Sequence, residues 1–196
     1  MIIHNHIEDE ALSEYFFVEG LIDIDSEYFI DEIKKGVERE DNNNFKTNVR
    51  DKVTSYKYFN YDKKFINILE KFSKYIDRRC KTNLYGLIDS WGYCVNTNHK
   101  TIFHDHKYCV WSGVIYLNSH SQYLEFPGIN KKVKPEKGKF ALFSSFLKHG
   151  TKRHESKETK WGISFNMAPD IINIEKDKKW LKKDFFPHLY TQKILN

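Results

Sequence analysis

Hydrophobic residues recur with a helical period in two segments of the first 80 residues. The first segment covers residues 26–38 and can be capped by Asp25 or Ser26, and the second covers residues 62–79. Spacings of three and four residues place the apolar side chains of each segment on one face of a helix. These side chains are Phe29, Ile30, Ile33 and Val37 in the first segment and Phe65, Leu69, Phe72 and Ile76 in the second. Both faces are expected to pack against a core, without a chemical role.

Short runs of β-branched and aromatic residues dominate after residue 83. An earlier run, EYFFVEG (14–20), also predicts a strand. The later runs are separated by turn residues such as Pro127, Pro135 and Gly138, and they are LYGLIDSWGYCV, TIFHDH, CVWSGVIYLN, SQYLEF, KKVKP, KFALFSS and WGISFNM. Short strands at this spacing are typical of a β-sandwich or a β-barrel.

A chain of 196 residues fits one domain, with two small domains as the alternative. We predict one domain over 1–196, made of a helical and mixed lead-in (1–82), a β core (83–168) and a C-terminal extension (169–196). The extension alternates lysines with apolar residues and predicts a short helix before Pro187.

The composition indicates a cytoplasmic protein that is not bound to a membrane. No segment approaches the roughly 18 consecutive apolar residues of a membrane span. The N-terminus, MIIHNHIEDE, lacks the basic start and apolar run of a signal peptide. Cys80, Cys94 and Cys109 are odd in number and show no CxxC spacing, which suits buried thiols in a reducing compartment.

The net charge of +5 comes almost entirely from lysine, since arginine occurs only five times. This surplus could attract a nucleic acid or another anionic partner. A solvated lysine-rich surface is the simpler interpretation, and it is the one that we favour.

The histidine pattern raises the possibility of a metal site. On a strand, His104 and His106 would point to the same face and Asp105 to the other. His149, which follows a predicted strand, could supply a third ligand, and three ligands on one octahedral face leave three positions open. Each piece alone is weak, because a solvent-facing pair is the ordinary interpretation of an HxH sequence. The remaining histidines keep a surface interpretation: His4, His6, His99, His120, His154 and His188.

Residues 84–167 resemble the 2-oxoglutarate- and Fe(II)-dependent oxygenases, in particular a bacterial and phage branch. The branch motif HxHP-x(4)-SGVYYL reads HDHKYCVWSGVIYL here. Its lFPS-x-x-x-H and R-x-S-x-SFN strands correspond to ALFSSFLKH and KWGISFN, and DSW places Trp91 where these proteins carry a tryptophan. The resemblance implies one oxygenase domain of α+β, mainly β class. It would have a double-stranded β-helix (jelly-roll, cupin-like) core and N-terminal helices packed on one sheet.

The resemblance also implies a site. His104, His106 and His149 would bind Fe(II), with His106 at the position where most of the superfamily has an aspartate, and three histidines also suit zinc or copper. Lys160 would anchor the distal carboxylate of 2-oxoglutarate where the branch has arginine, with Arg153 as its competitor. Further candidates are Ser164 and Tyr116 as hydrogen-bond donors to the cosubstrate, Trp91 and Asn166 beside the site, and Glu125 as an outer carboxylate.

Four departures from the branch pattern remove no required donor. They are Lys107, Ile115, Ser144 and Lys160, which stand for proline, tyrosine, proline and arginine. They suggest a divergent member with an unusual substrate, or a degenerate one.

The expected activity is hydroxylation of a C–H bond with O2, Fe(II) and 2-oxoglutarate, releasing succinate and CO2. The expected substrate is a protein side chain or a small molecule, and a nucleic acid is less favoured. The protein is expected to be a monomer or a homodimer. Two alternatives stay open: a non-catalytic jelly-roll binding module, and a three-histidine cupin-type metalloenzyme that does not use 2-oxoglutarate.

Overall fold

A computed structural model describes residues 15–39, 48–80, 85–107 and 109–169, with the backbone alone for residues 73–80, 85 and 169. His4, His6, His188, residues 40–47 and the C-terminal extension lie outside this part, as do the side chains of Ile76 and Cys80. No helix of the described part is long and apolar enough to span a membrane.

The described chain contains two α-helices, nine strands and a short 3-10 helix. In order the α-helices and strands are β1 (Phe17–Leu21), α1 (Ser26–Arg39), β2 (Lys52–Val53), α2 (Lys63–Cys80), β3 (Tyr85–Val95), β4 (Trp111–Tyr116), β5 (Leu124–Phe126), β6 (Lys131–Val133), β7 (Lys139–Ser144), β8 (Gly150–Thr151) and β9 (Lys160–Pro169). The 3-10 helix (Pro127–Ile129) lies between β5 and β6.

The two predicted helices are present, and each begins at an aspartate cap. The backbone N–H of Tyr28 donates to Asp25 Oδ1 at 3.2 Å, and the N–H of Phe65 donates to Asp62 Oδ1 at 2.8 Å. These bonds satisfy backbone donors that have no partner inside a first helical turn. The apolar faces pack as predicted, with Phe29, Ile33, Phe65, Leu69 and Phe72 buried.

The strands form two antiparallel sheets. The larger has the order β1-β7-β4-β9-β3-β2, and the smaller has the order β6-β5-β8. One apolar core joins both helices to the larger sheet, and a second core lies between the two sheets. The mainly β fold with helices on one sheet is therefore as predicted.

Alternation along the central strands separates these two cores. On β9, Ile163, Phe165 and Met167 belong to the helix-side core. Their neighbours Lys160, Ser164 and Asn166 line a cavity on the other face. Since side chains on a strand alternate with period two, one strand supplies both apolar packing and polar site residues.

Residues 101–106 were predicted as a strand, and this is wrong. Only isolated bridges occur there, Thr101 with Val49 and His104 with His149. The two-residue strands β2 and β8 were not predicted, because two residues are too short to show a period.

Close packing at Gly113 on β4 gives a stability prediction. A Cβ at this position would overlap the ring of Phe165 on the neighbouring strand, whereas a Cβ at Gly86 would meet nothing within 4 Å. We expect Gly113→Ala to lower the free energy of unfolding by about 1–3 kcal/mol. Gly86→Ala, the matched control, should change it by less than about 0.5 kcal/mol. Urea unfolding measures both values, and equal values would contradict this packing.

Candidate functional site

The cavity between the two sheets has a volume of about 230 Å³. Its walls come from the inward-facing residues of β3, β4 and β9 and from the segments that carry the three candidate metal ligands. His104, His106 and His149 lie along it, and Lys160 lies in the same lining.

The three histidines converge as a metal site requires. One ring nitrogen from each lies within 4.8 Å of the others. The ring centroid of His104 is 4.8 Å from that of His106 and 4.4 Å from that of His149. Reciprocal backbone bonds of 2.9 Å between His104 and His149 hold two of them side by side, and the N–H of His106 donates to Ser145 O at 2.9 Å. The same-face placement of the pair thus holds although no regular strand is formed.

Backbone carbonyls set the tautomers of two of the candidate ligands. The Nδ1 of His104 lies 2.7 Å from Ile102 O, and the Nδ1 of His149 lies 2.8 Å from Leu147 O. A carbonyl oxygen only accepts, so both Nδ1 atoms must carry the proton. The Nε2 lone pairs are left for a metal ion, in the arrangement common among metal-bound histidines.

Burial keeps these rings uncharged at neutral pH. Desolvation, with the neighbouring His104, lowers the pKa of His106 to about 4 and that of His149 to about 3. The pKa of His104 is also lowered, chiefly by burial. Neutral imidazole is the form that binds a metal, so the cluster is poised for one.

Three residues stand apart from the histidine cluster, and two of them, Glu125 and Arg153, were candidates. Asp105, which was expected to point away from the two histidines, is exposed and is not part of the converging group. Glu125 lies on the opposite side of β5 from the cavity-lining Leu124 and pairs with Lys132 at 3.5 Å. Arg153 is exposed, outside the cavity lining.

Lys160 is buried in the lining of the cavity, with 2% of its surface exposed. Desolvation lowers its pKa to about 7. No carboxylate lies within ion-pair distance of it among the described residues; its ammonium donates to Gln122 Oε1 and lies 5.9 Å from the ring of Tyr93. A cation held in this way is available to an anion from the cavity.

The other predicted residues also line the cavity. Tyr116 is fully buried, and burial raises the pKa of its phenol well above the usual value. Ser164 is half-buried next to it in the lining. Asn166 accepts from Ser112 Oγ at 2.7 Å and donates to Asp89 Oδ1 at 2.8 Å. Trp91 packs edge-on against Tyr56, with ring centroids 5.0 Å apart.

The surface interpretation is wrong for His120 and His154. Both are buried, and their Nε2 atoms lie 3.0 Å apart. Gln122 connects this pair to Lys160, because its backbone N–H donates to His120 and its side-chain oxygen accepts from the Lys160 ammonium. The two histidines and Gln122 therefore form a buried layer next to Lys160. The sequence carries no signal for this layer, since it depends on two loops that meet only in the folded chain. His99, in contrast, is exposed as expected.

No family model matches the sequence, and no curated protein matches it. Solved structures do match. A viral collagen prolyl hydroxylase from Paramecium Bursaria Chlorella virus-1, in a 2-oxoglutarate complex, aligns with a TM-score of 0.61 at 15% identity, over 79% of this chain and 96% of that one. HygX from Streptomyces hygroscopicus, with nickel and 2-oxoglutarate bound, aligns with a TM-score of 0.53 at 15% identity, over 79% and 83%.

A third match is the non-heme α-ketoglutarate-dependent epimerase SnoN from nogalamycin biosynthesis. It has a TM-score of 0.58 at 10% identity and covers 86% of each chain. The chain therefore has the fold of the 2-oxoglutarate- and Fe(II)-dependent oxygenases, with a three-histidine cluster inside it. The narrower bacterial and phage branch stays a prediction.

Removing one ligand should separate metal binding from folding. We expect His149→Ala to weaken binding of Co(II), used as a probe, by at least about 100-fold, because even the outer partners of metal ligands are worth 10- to 100-fold. The backbone bonds of residue 149 to His104 survive the change, so near-UV circular dichroism should stay native. His99→Ala, at an exposed ring outside the cavity, is the control. If His149→Ala bound Co(II) with unchanged affinity, His149 would not belong to the metal site.

Proposed function

We propose that the protein is a 2-oxoglutarate- and Fe(II)-dependent oxygenase that hydroxylates a C–H bond. The observation that carries this proposal is the buried ammonium of Lys160 without a carboxylate partner among the described residues, in the same cavity as three converging histidines. A metal site alone would fit many functions. A metal site that shares its cavity with an unneutralised cation suits a ligand that carries a chelating group and a separate carboxylate.

The residues present fit both groups. His104, His106 and His149 would hold Fe(II) through neutral nitrogens. Lys160 would bind the distal carboxylate of 2-oxoglutarate, and the hydroxyl of Ser164, two positions from Gly162 on the same face, would donate to it. When bound, Fe(II) and 2-oxoglutarate supply the oxidising chemistry, in which O2 and 2-oxoglutarate give succinate, CO2 and one oxygen atom for the substrate.

The protein's own contribution is orientation and exclusion of water. Tyr93, Tyr116 and Leu124 line the same cavity as Lys160, and all three are buried. Burial raises the pKa of both phenols, so they stay protonated and add no negative charge. Ion pairing at a buried ammonium is stronger than in water, which favours the dianion over neutral competitors.

The buried cation also weighs against the two alternatives. A cupin-type enzyme without 2-oxoglutarate has no use for an ammonium at this place. A structural metal site needs no open cavity beside its ligands. The fold does not select a substrate, since the matched proteins include a collagen prolyl hydroxylase and an epimerase of nogalamycin biosynthesis. We propose a protein side chain or a small molecule as the substrate.

The first test is cosubstrate binding. Anaerobic addition of Fe(II) and then 2-oxoglutarate should give the weak visible charge-transfer band of the chelate. We expect Lys160→Met to weaken 2-oxoglutarate binding by at least about tenfold, which corresponds to 1.4 kcal/mol, because the ion pair is lost. Arg153→Ala, which changes an exposed cation of equal charge, should bind normally. Metal binding without any band would contradict the proposed function, and a larger effect at Arg153 would reassign the anchor.

The pH dependence of binding follows from the pKa of Lys160, which burial lowers to about 7. Below this pH the ammonium is charged; above it the empty site holds a neutral amine, so binding of the dianion must take up a proton. Affinity for 2-oxoglutarate should therefore fall by up to about tenfold per pH unit above 7. Lys160→Arg stays charged throughout and should show no such slope. Calorimetric titration with 2-oxoglutarate between pH 6 and 9 measures this slope. An equal slope in the wild-type protein and in Lys160→Arg would assign the pH dependence to another group.

A further inference from the structure

Gln122 holds Lys160 in place through a side chain whose orientation is fixed. Its Oε1 accepts from the Lys160 ammonium, and its Nε2 donates to Lys152 O at 2.6 Å and to His99 O at 3.2 Å. Backbone carbonyl oxygens only accept, so the amide nitrogen must face them. The oxygen is therefore the atom that faces the cation. Gln122 itself is 5% exposed and lies outside the set of predicted site residues.

The two histidines behind Gln122, His120 and His154, are held by backbone hydrogen bonds. The N–H of Gln122 donates to His120 Nδ1 at 3.0 Å, and the N–H of Ser156 donates to His154 Nδ1 at 3.2 Å. Both rings must then carry their proton on Nε2, and both Nε2 atoms lie near Glu158 O, at 3.3 and 2.6 Å. A single carbonyl thus accepts from two imidazoles, and the pair contributes no negative charge toward Lys160.

From this arrangement we infer that Gln122 is a positioning residue, which directs the Lys160 ammonium toward the cavity without neutralising it. The inference rests on the proposed function, because the bound anion is the distal carboxylate of 2-oxoglutarate. An amide satisfies one proton of the ammonium and leaves its charge intact. A carboxylate at the same place would compete with the cosubstrate for Lys160, and it would also face two backbone carbonyl oxygens as an acceptor with no proton to offer.

Two substitutions at this position should act in opposite directions on Lys160. Gln122→Glu adds a carboxylate and should raise the pKa of the Lys160 ammonium by more than one unit. Gln122→Met keeps the length of the side chain but loses the hydrogen bond, so the pKa should fall. A residue that only supports the fold would not produce shifts of opposite sign. NMR titration of the lysine side chains in metal-free protein, assigned with Lys160→Arg, measures both shifts without any turnover.

Cosubstrate binding gives the second readout. In Co(II)-loaded protein, Gln122→Glu should weaken 2-oxoglutarate binding by at least about tenfold, and Gln122→Met by a smaller factor, both with unchanged Co(II) affinity. Glu125→Gln is the matched control, since it also changes one charge close to Gln122 in the chain. Glu125 lies on β5 and pairs with Lys132 outside the cavity. This substitution should leave binding unchanged.

The outcomes separate this inference from the proposed function. Absence of 2-oxoglutarate binding by the wild-type protein overturns both. Wild-type binding that persists undiminished in a folded Gln122→Glu variant overturns the role of Gln122 alone. Shifts of the Lys160 pKa in the same direction in both variants also overturn it. If Gln122→Glu fails to fold, the pKa and affinity of Gln122→Met decide, and wild-type values there reject the inference.

Discussion

The register of β9 is the constraint on which the site depends. β9 pairs with β3 on one side and with β4 on the other, and its alternate residues serve the helix-side core and the cavity. A slip of one residue would turn Lys160 into the core and expose Phe165 to the cavity. The close packing of Phe165 over Gly113 and the aromatic contacts of Phe165 with Phe65 and Phe72 resist such a slip. The apolar face thus positions the polar one.

A buried ammonium without a carboxylate partner among the described residues is costly. Transferring such a charge out of water opposes folding by several kcal/mol unless it is compensated. Here the amide of Gln122 and the ring of Tyr93 compensate only in part, and the remainder appears as the lowered pKa of Lys160. An anion that enters the cavity recovers this free energy. The feature that weakens the empty fold is therefore the one that would give a dianion its affinity.

Periodic patterns could be read from the sequence, and contacts between loops could not. The helical stripes of α1 and α2 and the long runs of β3, β4 and β9 predicted two helices and a sandwich or barrel of short strands, because each is several periods long. The double-stranded β-helix with helices on one sheet was expected only from the resemblance to the oxygenases. The segment around His104 and His106 was wrongly predicted as a regular strand, yet the alternation argument still placed the two rings together. Gln122, His120 and His154 carry no periodic signal, since their role arises only where residues 118–122 meet residues 152–158.

The residues at two positions would offset each other in charge if the cavity holds the proposed metal ion. Histidine at position 106, which the resembled branch shares but where most of the superfamily has aspartate, would leave the metal end of the cavity one unit more positive. Lysine at position 160, where the branch has arginine, can release its proton when buried, which arginine cannot. Before the cosubstrate binds, the proposed site would therefore not have to hold a metal dication and an obligatory second cation together. Either change alone would alter the net charge of the cavity, whereas the two together would keep it suited to a dianion.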